Sequence, residues 1–384
     1  MAAERLRIKS IDAWRGLALA TIFVNHVPGT AFEHYTHKNF GFSDAAEVFV
    51  LLAGFAAALA YLPRFAAGDA PRQSFRMVLR AFQIYSAHIV VLVACAALVA
   101  YASVATQDPR LLEAMNFDLL TATPAASMIG IATLGLQPSY LNILPLYVML
   151  LLMAPALMTL VGASWPFALT ASFAMYLCAQ AGLGLPSYPG VDNTWFFNPF
   201  AWQLLFTIGL CAGSMAVAGR TLLRSRALLA ASVVYLLFAL AWKKAEIYPE
   251  GVLGLPRFLW EDDKHILSLP RLLHVLALAY VAAYLPVESW VRKWSFAAPL
   301  MWLGRHSLAI FGLGTILAIG GQVLRIVGGG DPTIDLLVIA VGLGLQVGLA
   351  WALEWNRTGG ETKVAAKTAM RPRGAEAEQP AQAL

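Results

Sequence analysis

The sequence predicts an all-α polytopic membrane protein of about ten transmembrane helices with both termini cytoplasmic. Three observations predict it. First, 59% of the 384 residues are hydrophobic and only 13% are charged, about half the charged share of an ordinary soluble domain. Second, mean hydropathy is +0.66, and the apolar residues gather in runs near the roughly 20 residues that cross a bilayer. Third, Lys and Arg are distributed unequally between alternate connections. Together these exclude a soluble globular enzyme and a disordered chain. The net charge of +5 does not imply a nucleic-acid partner, since bases set by membrane topology form no basic face. Membrane lipid is the expected surrounding.

Ten spans follow in order: 11–28, 45–62, 81–101, 141–161, 167–185, 201–218, 227–242, 272–285, 297–319 and 334–355. The first is expected to be a span rather than a cleavable signal, because it carries Arg15 and lacks a small-x-small end. With the N-terminus in the cytoplasm, eighteen of the 27 basic residues fall inside and eight outside, and Arg305 falls within a span. An even number of spans fits that bias. The outer segments 29–44, 106–140 and 243–271 are too long for turns and are rich in aromatic and apolar residues, so they read as ordered. Residues 1–356 form the expected transmembrane domain. Residues 357–384 form an expected mobile, polar cytoplasmic tail. Cys95, Cys178 and Cys211 all lie in apolar runs and read as buried thiols.

An ionisable group within a span costs about 2.5–3.5 kcal/mol on insertion scales, so each is a candidate functional residue. Arg15, His26, Glu47, His88, Arg305, His306 and Asp335 qualify. Arg15 and His26 are eleven residues apart, which puts them on one helix face and about 16 Å apart along the axis. Leu19 and Ile22 continue that stripe, and Asp12 is placed one turn before Arg15 to pair with it. Asp44 and Glu47 open the second span at the depth of His26. A carboxylate beside an imidazole makes a general base, and the same two residues can also cap a helix.

Arg72, Arg76 and Arg80 repeat at helical spacing on the cytoplasmic side. That stripe suits either a phosphate-bearing donor such as coenzyme A or anionic lipid. Arg305 must face the bundle interior and hold either an anionic ligand group or a distant acid. Among the outer aromatics, Trp195 and Trp260 with Asp192 nearby suit a sugar, although an interfacial belt accounts for most such positions. The pair His34 and His37 with Glu33 lacks a third metal ligand at a recognised spacing, so no metal is expected.

Ser10-Ile11-Asp12-Ala13-Trp14-Arg15-Gly16-Leu17, then Asn25-His26-Val27-Pro28-Gly29, resemble the opening of a known family. So does Asn39-Phe40-Gly41-Phe42-Ser43-Asp44-Ala45-Ala46-Glu47-Val48-Phe49-Val50, ending in Ala53-Gly54-Phe55. Together they look like the OpgC family of osmoregulated periplasmic glucan succinyltransferases, within the membrane acyltransferase-three superfamily. Leu303-Gly304-Arg305-His306-Ser307-Leu308 is similar to the family's Gly-x-x-Ser helix, and Ala53 stands where the family usually has Ser. The resemblance implies a multi-pass protein of the bacterial inner membrane with no permanently bound cofactor. Acyl-CoA, succinyl-CoA in the first instance, would be the co-substrate and a periplasmic glucan the acceptor. Its implied roles are His26 as base with Glu47 or Asp44 orienting it, and Arg15, Arg72, Arg76, Arg80 and Arg305 on the donor. Trp195, Asp192 and Trp260 would take the acceptor. Two other readings fit the same residues: O-acetylation of a different surface polysaccharide, and a transporter. Against transport, the two halves show no internal repeat.

Overall fold

The computed structural model describes residues 8–189, 194–221, 224–245 and 256–369. It is 79% helical, and among the described residues the only β pairing is an isolated bridge between Pro186 and Thr194. The principal helices are α1 (Lys9–Asn25), α2 (Ala45–Arg64), α3 (Ala70–Thr106), α4 (Ile143–Ala163), α5 (Trp165–Gln180) and α6 (Pro199–Val217). They continue with α7 (Arg226–Lys244), α8 (Leu269–Tyr284), α9 (Ala298–Arg305), α10 (Ser307–Val327) and α11 (Pro332–Ala369). Among the described residues six segments are long and apolar enough to cross a membrane, and the first of them, Ala45–Thr106, contains both α2 and α3. The chain is an all-α membrane protein. Three other expected spans fall on α1, α5 and α8, helices of 17, 16 and 16 residues.

Local chemistry sets most boundaries. Asp44 and Glu47 form a reciprocal capping box that starts α2. Gly68, at φ +92°, breaks the chain between α2 and α3. α1 stops at His26, because Pro28 offers no N–H and Gly29 turns at φ +81°. Ser164, Asn198 and Ser225 accept backbone N–H groups at the starts of α5, α6 and α7. The 37 residues of α3 run about 55 Å, beyond the roughly 30 Å of a hydrocarbon core.

Several expectations change. The ninth expected span is two helices, because the backbone leaves helical geometry at His306 (φ −101°, ψ 32°). The outer segment 106–140 holds three short helices, Arg110–Ala114, Leu119–Ala122 and Pro124–Ala132. α11 runs past the expected span end to Ala369, and residues 370–384 lie outside the described ones. Cys95 and Cys211 are buried, but Cys178 is exposed, because the buried face of α5 is the one carrying Ala168, Ser172, Tyr176 and Ala179.

The core gathers around α2, α4 and α6, with Ala57, Ala58, Leu146, Leu150, Trp202 and Phe206 fully or almost fully buried. Two crossings depend on missing side chains. A Cβ on Gly209 would sit 2.1 Å from the carbonyl oxygen of Leu51, and one on Gly54 2.0 Å from that of Phe206. Helices α2 and α6 therefore touch backbone to backbone, as small residues allow in membranes. The same holds between α1 and α9, where a Cβ on Gly304 would lie 1.8 Å from the Asp12 oxygen. α1 also packs against α10, which in turn packs against α3 and α11. That places the charged stripe of α1 inside the bundle.

Candidate active site along the α1–α10 seam

The stripe predicted on α1 faces α10. Leu19, Ile22, Phe23 and His26 line a narrow cavity with Ile310, Phe311, Gly314 and Thr315 of α10 and Gln346 of α11. Its volume is about 10 Å³, room for about one water. The cavity reaches His26. Further along the same pair of helices, Arg15 donates from Nη2 to Ser307 Oγ at 2.6 Å. Its guanidinium carbon sits 6.0 Å from the Phe49 ring centre. The Arg15 Nε is buried and makes no hydrogen bond. Among the described residues no carboxylate is in salt-bridge contact with Arg15; Asp12, its expected partner, instead lies 4.0 Å from Arg305 Nε.

His26 is half-buried at the end of α1. Its ring lies 4.8 Å from that of Tyr140 and 6.5 Å from that of Phe311, centre to centre. Asp44, Lys264 and Lys38 are within electrostatic reach. No hydrogen bond to the imidazole is formed among the described residues. The expected carboxylate partnership is therefore absent from this geometry, and the reason is that both carboxylates are engaged by cations. Glu47, 0% exposed, accepts from Arg271 at 2.6 Å through one oxygen and from the Asp44 amide at 2.9 Å through the other. Asp44 accepts from Ala46 N at 2.8 Å, Lys264 Nζ at 2.5 Å and Arg271 Nη2 at 3.4 Å. Burial pushes the Asp44 carboxyl up, but Lys264 and Arg271 outweigh it and hold the group well below the usual carboxylate range.

The remaining candidates separate. Arg305 is committed to Glu354, which also accepts from Arg357 at 2.7 Å and lies 3.2 Å from His306 Nε2. The distant-acid reading of Arg305 is the one this geometry matches. Arg72 is exposed, and Arg76 and Arg80 are half-buried beside Gln73 and Gln83. None of the three pairs with an acid among the described residues. Trp195 is 5% exposed and packs in the core, so its ring offers no open face to a sugar. Trp260 lines a cavity of about 200 Å³ with Phe42, Tyr235, Phe238 and Trp242. Asp192 lies outside the described residues.

Sequence reasoning missed several partners. Arg271 and Lys264 looked like loop charges, yet a buried acid such as Glu47 requires a cation, and that demand was the available signal. His274, 4% exposed, meets Ser43 Oγ at 2.7 Å and follows Arg271 by one turn. Asp335 is explained by Arg325, whose Nε donates to it at 2.7 Å.

Fold and site define a class: a helical membrane protein whose interior carries a cation and an imidazole along one helix seam. The model of the family described as OpgC protein matches residues 7–358, and the chain belongs to that family. It is accordingly a glucan-modifying acyltransferase. No curated protein and no solved structure matches the chain.

Proposed function

We propose that the protein moves an acyl group, succinyl in the first instance, from cytoplasmic acyl-CoA to a hydroxyl of a periplasmic glucan across a bacterial inner membrane. The observation that carries this reading is the seam itself. Among the described residues, an imidazole without a hydrogen-bonding protein partner stands at one end, and a guanidinium without a carboxylate stands at the other. An ion left without a counter-ion in a bundle interior is costly, and an incoming anionic group removes that cost.

In this mechanism the acceptor hydroxyl gives its proton to a His26 ring nitrogen. The hydroxyl oxygen attacks the thioester carbon, the C–S bond breaks, and the departing thiolate takes a proton as the O-ester forms. Holding both substrates along one seam supplies much of the rate. Arg72, Arg76 and Arg80 meet the donor phosphates as fixed cations. With Arg305 committed to Glu354, Arg15 is the seam's cation for a free carboxylate or phosphate of the donor. The aromatic cavity at Trp260 supports acceptor binding, because flat ring faces suit a sugar.

His26→Ala abolishes glucan acylation, a fall of about 10²–10⁴-fold, while the purified protein keeps its helical signal and melting temperature. Full retained activity would remove the base assignment. Arg15→Leu raises KM for the acyl donor and lowers turnover, and unchanged values of both would remove its donor role. Mass spectrometry of periplasmic glucans from a deletion strain reads the acyl group directly. Loss of a succinyl increment supports the reading; unchanged glucans with altered lipopolysaccharide or capsule overturn the acceptor.

A further inference from the structure

We propose that Gln322 and Arg325 of α10 are positioning residues that set the place of the His26 imidazole through its main chain. The inference rests on the reading of His26 as the base. A catalytic imidazole is ordinarily aimed by a carboxylate or carbonyl on its second nitrogen. Here the ring has no such partner among the described residues, and Asp44 and Glu47 are held by cations. What holds His26 is its backbone.

α1 ends at His26, so the carbonyls of its last turn have no helical partner. Gln322 Nε2 donates to the His26 carbonyl oxygen at 2.5 Å. Arg325 Nη1 donates to the Pro28 oxygen at 2.9 Å, and its Nη2 donates to the Gly29 oxygen. Its third direction, Nε, is fixed on Asp335 of α11. The planar guanidinium thus spans two carbonyls and one carboxylate, which a lysine point charge cannot do. The fit is close: a Cβ on Gly29 would lie 2.4 Å from Arg325 Nη1. On its other side Gly29 N donates to Glu33 Oε2 at 2.5 Å. α10 also supplies Phe311 against the imidazole. One helix therefore fixes the turn behind the ring and one wall beside it, so a shift of α10 moves the base.

The bland alternative is that Arg325 and Asp335 only pin α10 to α11. The variants separate the two. Gln322→Met keeps the bulk of a side chain that is 7% exposed and removes only the donor to His26. It is expected to lower kcat about 10- to 100-fold, the cost of a displacement near 1 Å, with KM for donor and glucan unchanged and the melting temperature only slightly lowered by the unpaired carbonyl. Arg325→Ala shows the same kcat loss, Arg325→Lys recovers part of it, and Asp335→Asn costs melting temperature more than kcat. If Arg325→Ala does not fold, Gln322→Met and Arg325→Lys carry the test alone. Wild-type kcat in Gln322→Met beside an inactive His26→Ala overturns the positioning role and leaves the base intact. A change in KM alone overturns it too. Activity in His26→Ala overturns the reading beneath it.

Discussion

The interior of this protein holds two kinds of buried charge. At the start of α2, Glu47, Asp44, Arg271 and Lys264 satisfy one another with short contacts. Along the α1–α10 seam, among the described residues, Arg15 keeps a buried donor without a partner and the His26 ring packs on Tyr140 without a hydrogen bond. The first set is complete as it stands and joins α2, α8 and the segment before α8. The second is incomplete and therefore suited to a ligand. Since leaving one member of a buried pair alone is far more costly than pairing both, closed networks mark architecture and open ones mark chemistry.

The sharpest way to break that comparison is to exchange the consequences. His26→Ala removes activity and leaves stability alone, the largest functional effect expected. Arg271→Met does the reverse in kind: it leaves Glu47 buried without its cation and costs about 3–5 kcal/mol of stability, read as a large fall in melting temperature. The double variant Glu47→Gln with Arg271→Met recovers much of that loss. A single Arg271→Met with wild-type stability and lost activity would move the network into the chemistry.

A smaller effect comes from pH. The folded-state pKa of Asp44 is lowered, chiefly by Lys264 and Arg271 against the cost of its burial. A depressed carboxylate contributes stability above its unfolded value and loses that contribution as pH falls toward its folded value. Melting temperature therefore declines as pH drops below about 4, the ordinary carboxylate pKa, and Asp44→Asn flattens that decline. An undiminished slope in Asp44→Asn would place the acid sensitivity elsewhere.

The smallest effect tests an exception. His88 is fully buried on α3, and among the described residues neither ring nitrogen has a hydrogen-bond partner, yet it lies outside the seam cavity. His88→Leu is expected to keep full activity with no fall in melting temperature, because an apolar group avoids the cost of an unpartnered polar one. Loss of activity in that variant would add α3 to the site.

The membrane class, the all-helical character and the shared face of Arg15 and His26 were legible in the chain, because hydropathy and the 3.6-residue period are local properties. The Asp44–Glu47 cap was legible for the same reason. The partners were not. Glu47 finds Arg271 224 residues away, Arg305 finds Glu354 49 residues away, and His26 finds Gln322 296 residues away. Nothing in local spacing chooses between an acid beside an imidazole and an acid beside a guanidinium.

The sequence by itself determined that this chain is a helical membrane protein, where its charges interrupt apolar runs, and which of them share a helix face. Only the tertiary structure decided which of those charges are neutralised and which are left open. The physical reason is that pattern along a chain places a group on a face, whereas the cost of burying it depends on what the opposite helix brings within reach. The crossings at Gly16 and Gly304, and at Gly54 and Gly209, bring helices into backbone contact. They set the bundle in which Glu47 is answered and, among the described residues, Arg15 is not.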